Sequence, residues 1–184
     1  MMTIPLLGIV AYSGTGKTTL LKQLIPLLAQ SGIRVGLIKH SHHNVDVDTP
    51  GKDSYELRRA GALQTMVASS RRWALMTETP EEAGEPDLFS LASRFDSNKI
   101  DLILVEGFKH EPVPKIALYR AAVGKPLENL IDPHVIALAS DQPITTTVPQ
   151  LDLNQPPLIA VFIADWLKKI QDVQQNDSCG KNGE

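Results

Sequence analysis

Apolar residues fall in short unbroken runs and in longer stretches spaced by three and four, which predicts strands alternating with helices. Leu6–Ala11 is a buried strand. Lys17–Ser31 places Leu20, Leu21, Leu24, Leu27 and Leu28 on one helical face, and Gly32 ends it. Pro26 falls inside this pattern, which predicts a kink or a weakened middle. Arg34–Lys39 is a second strand carrying Val35, Leu37 and Ile38. After a polar loop, Asp53 caps a helix reaching Ala60, where Gly61 stops it. Leu63–Ala68 and Trp73–Thr77 predict two strands joined by Ser69-Ser70-Arg71-Arg72, a candidate hairpin. Asp87–Phe95 is a short amphipathic helix. Leu102–Val105 is apolar throughout, the mark of a central parallel strand covered on both faces. Lys115–Tyr119 and Val135–Ala139 are further strands, and Pro143 to Pro157 is mostly loop. Leu158–Ile170 is the last helix, with Ile159, Phe162, Ile163, Trp166 and Ile170 on its apolar side.

This alternation points to an α/β fold, a mostly parallel sheet with right-handed crossovers and flanking helices. The expected organisation is one nucleotide-binding domain over residues 1–172 and a polar, disordered tail over 173–184. Ligands of such sheets bind at the carboxyl ends of the strands. The loops after Val10, Lys39, Val105 and Ala139 should therefore surround one site.

The first of those loops carries the clearest chemistry. Ala11-Tyr-Ser-Gly-Thr-Gly-Lys-Thr18 lies between a strand and a helix, the context that a phosphate-binding loop requires. Gly14 and Gly16 let successive N–H groups curl toward one centre. Lys17 can bridge the outer phosphates and the Thr18 hydroxyl can ligate Mg²⁺. The helix adds its positive end. Ser13, Gly14, Thr15, Gly16, Lys17, Thr18 and Thr19 are thus the candidate nucleotide-binding set, in a P-loop NTPase fold with additional antiparallel strands. Ala11 stands where the pattern has its first glycine, a small change at the loop entrance.

Two further segments complete the candidate site. Asp101-Leu-Ile-Leu-Val-Glu106-Gly107 is an apolar strand bounded by acids. At a rise of about 3.3 Å per residue the two carboxylates lie roughly 16 Å apart, so one ion cannot touch both. Glu106, at the carboxyl end, is the Mg²⁺ candidate, and Gly107 beside it permits close approach of phosphate; a surface acid is the plainer alternative. Asp141 follows the strand Val135–Ala139 and could accept the N1–H and 2-amino donors of guanine, a pair that adenine lacks. Capping a turn before Pro143 is the competing role for Asp141.

The loop from Lys39 to Asp53 holds His40, His42, His43, Asp46 and Asp48. Imidazoles suit Zn²⁺ or Ni²⁺, but the spacing is not diagnostic, and adjacent His42 and His43 point apart in an extended segment. Asp48 is read more economically as a ligand of nucleotide-bound Mg²⁺, because hard cations favour oxygen. Lys39 and His40 could contact an anion, and His42 and His43 could equally be solvated.

Composition narrows the classes. The net charge of −3 gives no electrostatic case for nucleic-acid binding. The single cysteine, Cys179, excludes a disulfide framework and a thiolate metal site. No apolar run is long enough to span a bilayer, and the first apolar stretch leads into the phosphate loop instead of a cleavage site. A cytoplasmic location is expected.

Lys39-His-Ser-His-His43, Asp48-Thr-Pro-Gly-Lys-Asp-Ser-Tyr55, Arg59-Ala-Gly-Ala62, Val105-Glu-Gly-Phe-Lys109 and Ala137-Leu-Ala-Ser-Asp141 together resemble the molybdopterin-guanine dinucleotide biosynthesis protein B family. The resemblance covers roughly residues 4 to 170, and its middle motifs are more specific than the phosphate loop. It implies a homodimeric, GTP-binding accessory protein of molybdenum cofactor maturation. Such proteins assist the guanylyltransferase that joins a guanine nucleotide to molybdopterin, and they hydrolyse GTP slowly; molybdopterin is a further candidate ligand. The family is similar to dethiobiotin synthetase and the nickel-insertion GTPases. A nickel or zinc metallochaperone, and a kinase or ATP-dependent ligase using Lys39, Lys52 or Lys109, are therefore the alternatives. Arg58, Arg59, Arg71 and Arg72 are available to complete a hydrolytic site, or are simply surface residues. The strands Leu63–Ala68, Trp73–Thr77 and Lys115–Tyr119 could extend the sheet to an edge that a second subunit covers, with Trp73 and Leu75 near the interface.

Overall fold

Six strands form one parallel sheet in the computed structural model, in the order β2-β5-β1-β6-β7-β8. They are β1 (Leu6–Ala11), β2 (Val35–Lys39), β5 (Leu102–Glu106), β6 (Lys115–Tyr119), β7 (Val135–Ser140) and β8 (Gln150–Asp152). A separate antiparallel pair, β3 (Gln64–Ala68) with β4 (Trp73–Thr77), makes the hairpin. The helices are α1 (Lys17–Gln30), α2 (Asp53–Arg59), α3 (Leu88–Ala92) and α4 (Pro156–Cys179). The structure describes residues 3–41, 45–79 and 84–179, with the side chains of 174–179 left aside.

The chain divides into two compact units, Met1–His40 with Leu88–Glu184, and Ser41–Asp87, where the sequence suggested one domain. In the first unit, the period-two alternation of the strands sends side chains to opposite faces. Leu7, Ile9, Leu102, Leu104, Ile116 and Leu118 pack beneath α1 and α4, against Leu20, Leu24, Leu28, Ile159 and Ile163. On the opposite face Ile103 and Val105 meet Leu88 of α3. There Val10, Ala117 and Leu138 meet Leu127, Leu130 and Ile144.

A lysine sits inside this sheet. Lys115 is 1% exposed, and its ammonium reaches Asp132 at 2.5 Å and the Lys109 carbonyl at 2.8 Å. Burying a charge is tolerated only with such partners. Its stem lies across Gly8, where a Cβ would come within 2.9 Å of Lys115 Cγ.

Several expectations change. The hairpin does not extend the main sheet, and β6 lies inside that sheet between β1 and β7. A strand, β8, occurs within the Pro-rich stretch read as loop; it is three residues long, too short for an apolar period. Asp53 is the first residue of α2 and not its cap: Lys52 holds that position, without a side-chain cap. Helix α1 runs unbroken through Pro26. Helix α4 continues to Cys179, beyond Ile170 and into the segment read as a disordered tail; residues 180–184 lie outside the described residues.

The second unit has no buried residue among those described. Arg58 holds its ends together, contacting Asp46 at 2.7 Å and Glu78 at 2.8 Å. The turn Ser69–Arg72 is closed by a backbone bond of 2.8 Å and by the Ser69 hydroxyl, which accepts from the Arg71 and Arg72 amides.

Candidate functional site

The parallel sheet brings the predicted groups of the first unit to one end. The phosphate loop follows β1, Glu106 closes β5, and Asp141 follows β7. Because β5, β1, β6 and β7 are consecutive neighbours, these groups lie side by side at the carboxyl edge.

The phosphate loop has the backbone its glycines permit. Gly14 and Gly16 have φ of 83° and 99°, a left-handed region costly for residues with a Cβ. Gly16 is the N-cap of α1 and has no side chain to satisfy the first helical N–H groups. Those donors stay available to an anion. Thr15 is buried, its N–H donating to the Tyr12 carbonyl at 3.3 Å. Ser13, Thr18 and Thr19 are exposed at the mouth. A cleft of about 330 Å³ is lined by residues including Gly14, Thr15, Gly16, Thr19, Arg120 and Asn154.

Glu106 stands between two ammonium groups, 3.5 Å from Lys17 Nζ and 3.8 Å from Lys39 Nζ. Its side chain is 12% exposed, so the carboxylate is held at the phosphate-loop lysine instead of in open solvent. The surface-acid alternative does not describe it. After Glu106 the chain turns through two residues of positive φ, Gly107 at 94° and Phe108 at 50°. A left-handed aromatic costs about 1–2 kcal/mol. Phe108 stacks on the His40 ring, centroid to centroid 4.7 Å. A Cβ on Gly107 would lie 2.6 Å from His40 Cβ. Gly107 thus permits a close approach of His40.

Asp141 does not cap the following turn; the Ser140 hydroxyl accepts from the Gln142 N–H at 3.2 Å instead. Asp141 Oδ1 accepts the Ala121 N–H at 3.0 Å, and Oδ2 lies 3.6 Å from Arg120 Nη1. Each carboxylate oxygen retains a lone pair for a second donor. Arg120 is the residue that sequence reasoning missed. It also donates from Nε to the Thr15 carbonyl at 3.1 Å. An isolated arginine after a strand carries no motif, and only the strand order shows which loop it reaches.

In the second unit, Asp48 Oδ1 accepts from the Thr49 N–H at 2.9 Å and the Ser54 hydroxyl at 3.2 Å. Its Oδ2 is buried without a hydrogen-bond partner among the described residues. A buried, unpaired carboxylate oxygen is costly and suits a hard cation. Thr18 and Glu106 offer the same oxygen chemistry. Nothing among the described residues groups three or more His, Cys, Asp or Glu side chains around a metal position. His42 and His43 lie outside the described residues. Arg58, one candidate for completing a hydrolytic site, is committed to Asp46 and Glu78, while Arg59, Arg71 and Arg72 are exposed.

Comparison with known proteins decides the family. The family model of molybdopterin guanine dinucleotide synthesis protein B matches residues 6–141. The chain belongs to this family. The molybdopterin-guanine dinucleotide biosynthesis adapter protein of Escherichia coli (strain K12) is 62% identical over 167 residues, covering 90% of this chain and 95% of that protein. The adapter protein of Haemophilus influenzae is 52% identical over 164 residues, covering 89% and 90%. A crystal structure of molybdopterin-guanine biosynthesis protein B superposes with a TM-score of 0.72 at 28% identity, over 89% of this chain and 99% of that one. The P-loop architecture with its antiparallel pair is therefore that of the family. No helix among the described residues is long and apolar enough to cross a membrane.

Proposed function

We propose that this protein is a GTP-binding adapter in the synthesis of molybdopterin guanine dinucleotide. It would assist the guanylyltransferase and turn over GTP slowly. Family membership supports the pathway, since the close relatives are adapter proteins of that biosynthesis. One observation supports the ligand: adjacent parallel strands carry the phosphate loop, Glu106 and Asp141 to the same edge.

In this reading Ser13, Gly14, Thr15, Gly16, Lys17, Thr18 and Thr19 hold the phosphates through N–H groups, one ammonium and hydroxyls. Thr18 and Glu106 would supply oxygen to nucleotide-bound Mg²⁺ or to its water shell, and Asp48 of the second unit has the same oxygen chemistry. Asp141 reads guanine. Lys17 leaves Glu106 for the phosphates when nucleotide binds, which frees the carboxylate for the metal. Arg58 is paired within its own unit, and a partner or second subunit that adds charge at the transferring phosphate would speed a slow site of this kind.

A homodimer belongs to the same reading. In the hairpin Met66 pairs with Leu75 and Ala68 with Trp73, which sets these four on one face. Met66, Trp73 and Leu75 are 61%, 68% and 46% exposed. Such a face is what a second copy would cover. Titration calorimetry with GTP and ATP in Mg²⁺, repeated with the guanylyltransferase present, tests the proposal. Saturable GTP binding preferred over ATP, and complex formation with the transferase, are expected. Absence of nucleotide binding, or tight stoichiometric Ni²⁺ or Zn²⁺ in its place, would overturn it.

A further inference from the structure

Residues 120–126, which follow β6, are tied to both ends of the candidate nucleotide site. Toward the phosphate loop, Arg120 Nε donates to the Thr15 carbonyl at 3.1 Å, and the Tyr12 hydroxyl donates to the Pro126 carbonyl at 2.9 Å. Toward the base-reading end, the Ala121 N–H donates to Asp141 at 3.0 Å, and Arg120 Nη1 faces the same carboxylate at 3.6 Å. Between these ties the chain makes a 3₁₀ turn, Ala121–Val123, closed by left-handed Gly124. The sheet order gives the reason: β6 lies between β1 and β7, so the connection that follows it runs beside both neighbouring loops.

Arg120 divides its donors between two demands. Nε is fixed on the phosphate loop, and Nη1 is held near Asp141 at a distance longer than a hydrogen bond. Nη2 lies 4.0 Å from where a Cβ of Gly16 would be, beside the cleft that the loop and Arg120 line. Guanine donors arriving on Asp141 would compete with Nη1 for its charge. The guanidinium would then turn its remaining donors toward the phosphates. Adenine offers Asp141 no such pair of donors and would leave Arg120 where it is.

We infer that Arg120 couples recognition of the base to affinity for the phosphates, so that guanine preference is expressed largely through phosphate binding. The inference rests on the GTP reading given above. A residue that merely props up the loop would weaken every nucleotide alike. A coupling residue makes the guanine-over-adenine ratio depend on the number of phosphates.

The test measures GTP, ATP, GMP and AMP affinities by competition against a fluorescent guanine nucleotide. Wild type, Arg120→Ala and Arg120→Lys are compared, with melting temperatures as the fold check. In the wild type the GTP/ATP ratio should exceed the GMP/AMP ratio by about fivefold or more, the lower range of measured coupling between sites. In Arg120→Ala the two ratios should become equal. Arg120→Lys keeps the charge but lacks the planar fork, and should give equal ratios even if the alanine variant folds poorly. Equal ratios already in the wild type, or an excess surviving in both variants, would overturn the inference while leaving the GTP reading intact. A wild type that binds neither triphosphate overturns that reading and the inference with it.

Discussion

Lys17 Nζ and Glu106 Oε1 are 3.5 Å apart, joining the residue that would grip the outer phosphates to the one that would face their metal. The two charges face each other in a partly buried place, Lys17 at the start of α1 and Glu106 at the end of β5. Lys17→Ala should therefore remove triphosphate binding and leave Glu106 with Lys39 alone. Losing a charge-assisted contact costs about 1.5–3 kcal/mol. Calorimetry with GTP and Mg²⁺ should show at least a tenfold loss, with secondary structure by circular dichroism unchanged.

On the GTP reading, Glu106→Ala and Asp48→Ala should each weaken GTP binding in Mg²⁺ far more than in EDTA, because a carboxylate oxygen is the ligand type that a hard cation favours. Melting temperatures of parent and variants establish that each variant is folded before the two conditions are compared. Equal losses in Mg²⁺ and EDTA would remove the metal role.

Asp141→Asn keeps the shape and one acceptor, and replaces the other with an amide donor facing the guanine 2-amino group. GTP affinity should fall by about tenfold, the scale of one mispaired buried hydrogen bond, with ATP affinity nearly unchanged. An unaltered GTP/ATP ratio would leave Asp141 only its structural bond to Ala121.

The Arg34 side chain, bonded to Asp101 at 2.9 and 2.6 Å, holds that carboxyl below the usual carboxylate range, against the cost of partial burial. The Arg34 backbone N–H at 2.8 Å adds to this. A carboxylate whose folded pKa is lowered stabilises the protein above its unfolded value, near 3.9. That stability is lost as pH falls through the folded value. Asp101→Asn should cost about 1 kcal/mol at pH 7, a figure discounted for solvent screening of a partly exposed pair. Denaturant melts of parent and variant should converge as pH drops below about 3.9.

Sedimentation at micromolar concentration should show a dimer, and Trp73→Glu should shift it toward monomer, because a charge on the hairpin face opposes burial of Met66 and Leu75. A strictly monomeric parent, with and without GTP and Mg²⁺, would refute the dimer.

Much of the fold was legible because the central strands of the main sheet are buried on both faces, so that Leu102–Val105 and Leu6–Val10 read as nearly unbroken apolar runs. Helix α1 was equally plain from its leucine spacing. The short edge strand β8, with a burial pattern of exposed, intermediate and exposed, left no such trace. Within the site, Lys17 and Glu106 were legible because each ends or follows a strand in a spaced motif. Arg120 was not, because its partners Thr15 and Asp141 are distant in sequence and meet only through strand order. The Ser140–Gln142 bond displaced the turn-capping role of Asp141, a choice between adjacent polar residues that residue type alone cannot make.

Gly8 and Lys115 share one volume between neighbouring strands, the missing Cβ of the first accommodating the stem of the second. The two positions should therefore change together through descent. A lineage that places alanine or a larger residue at the Gly8 position would need a shorter side chain at the Lys115 position. Asp132, left without its ammonium, would then be under pressure to become neutral. A history of three linked replacements would thus be written across β1, β6 and the turn before β7, with the phosphate loop itself untouched.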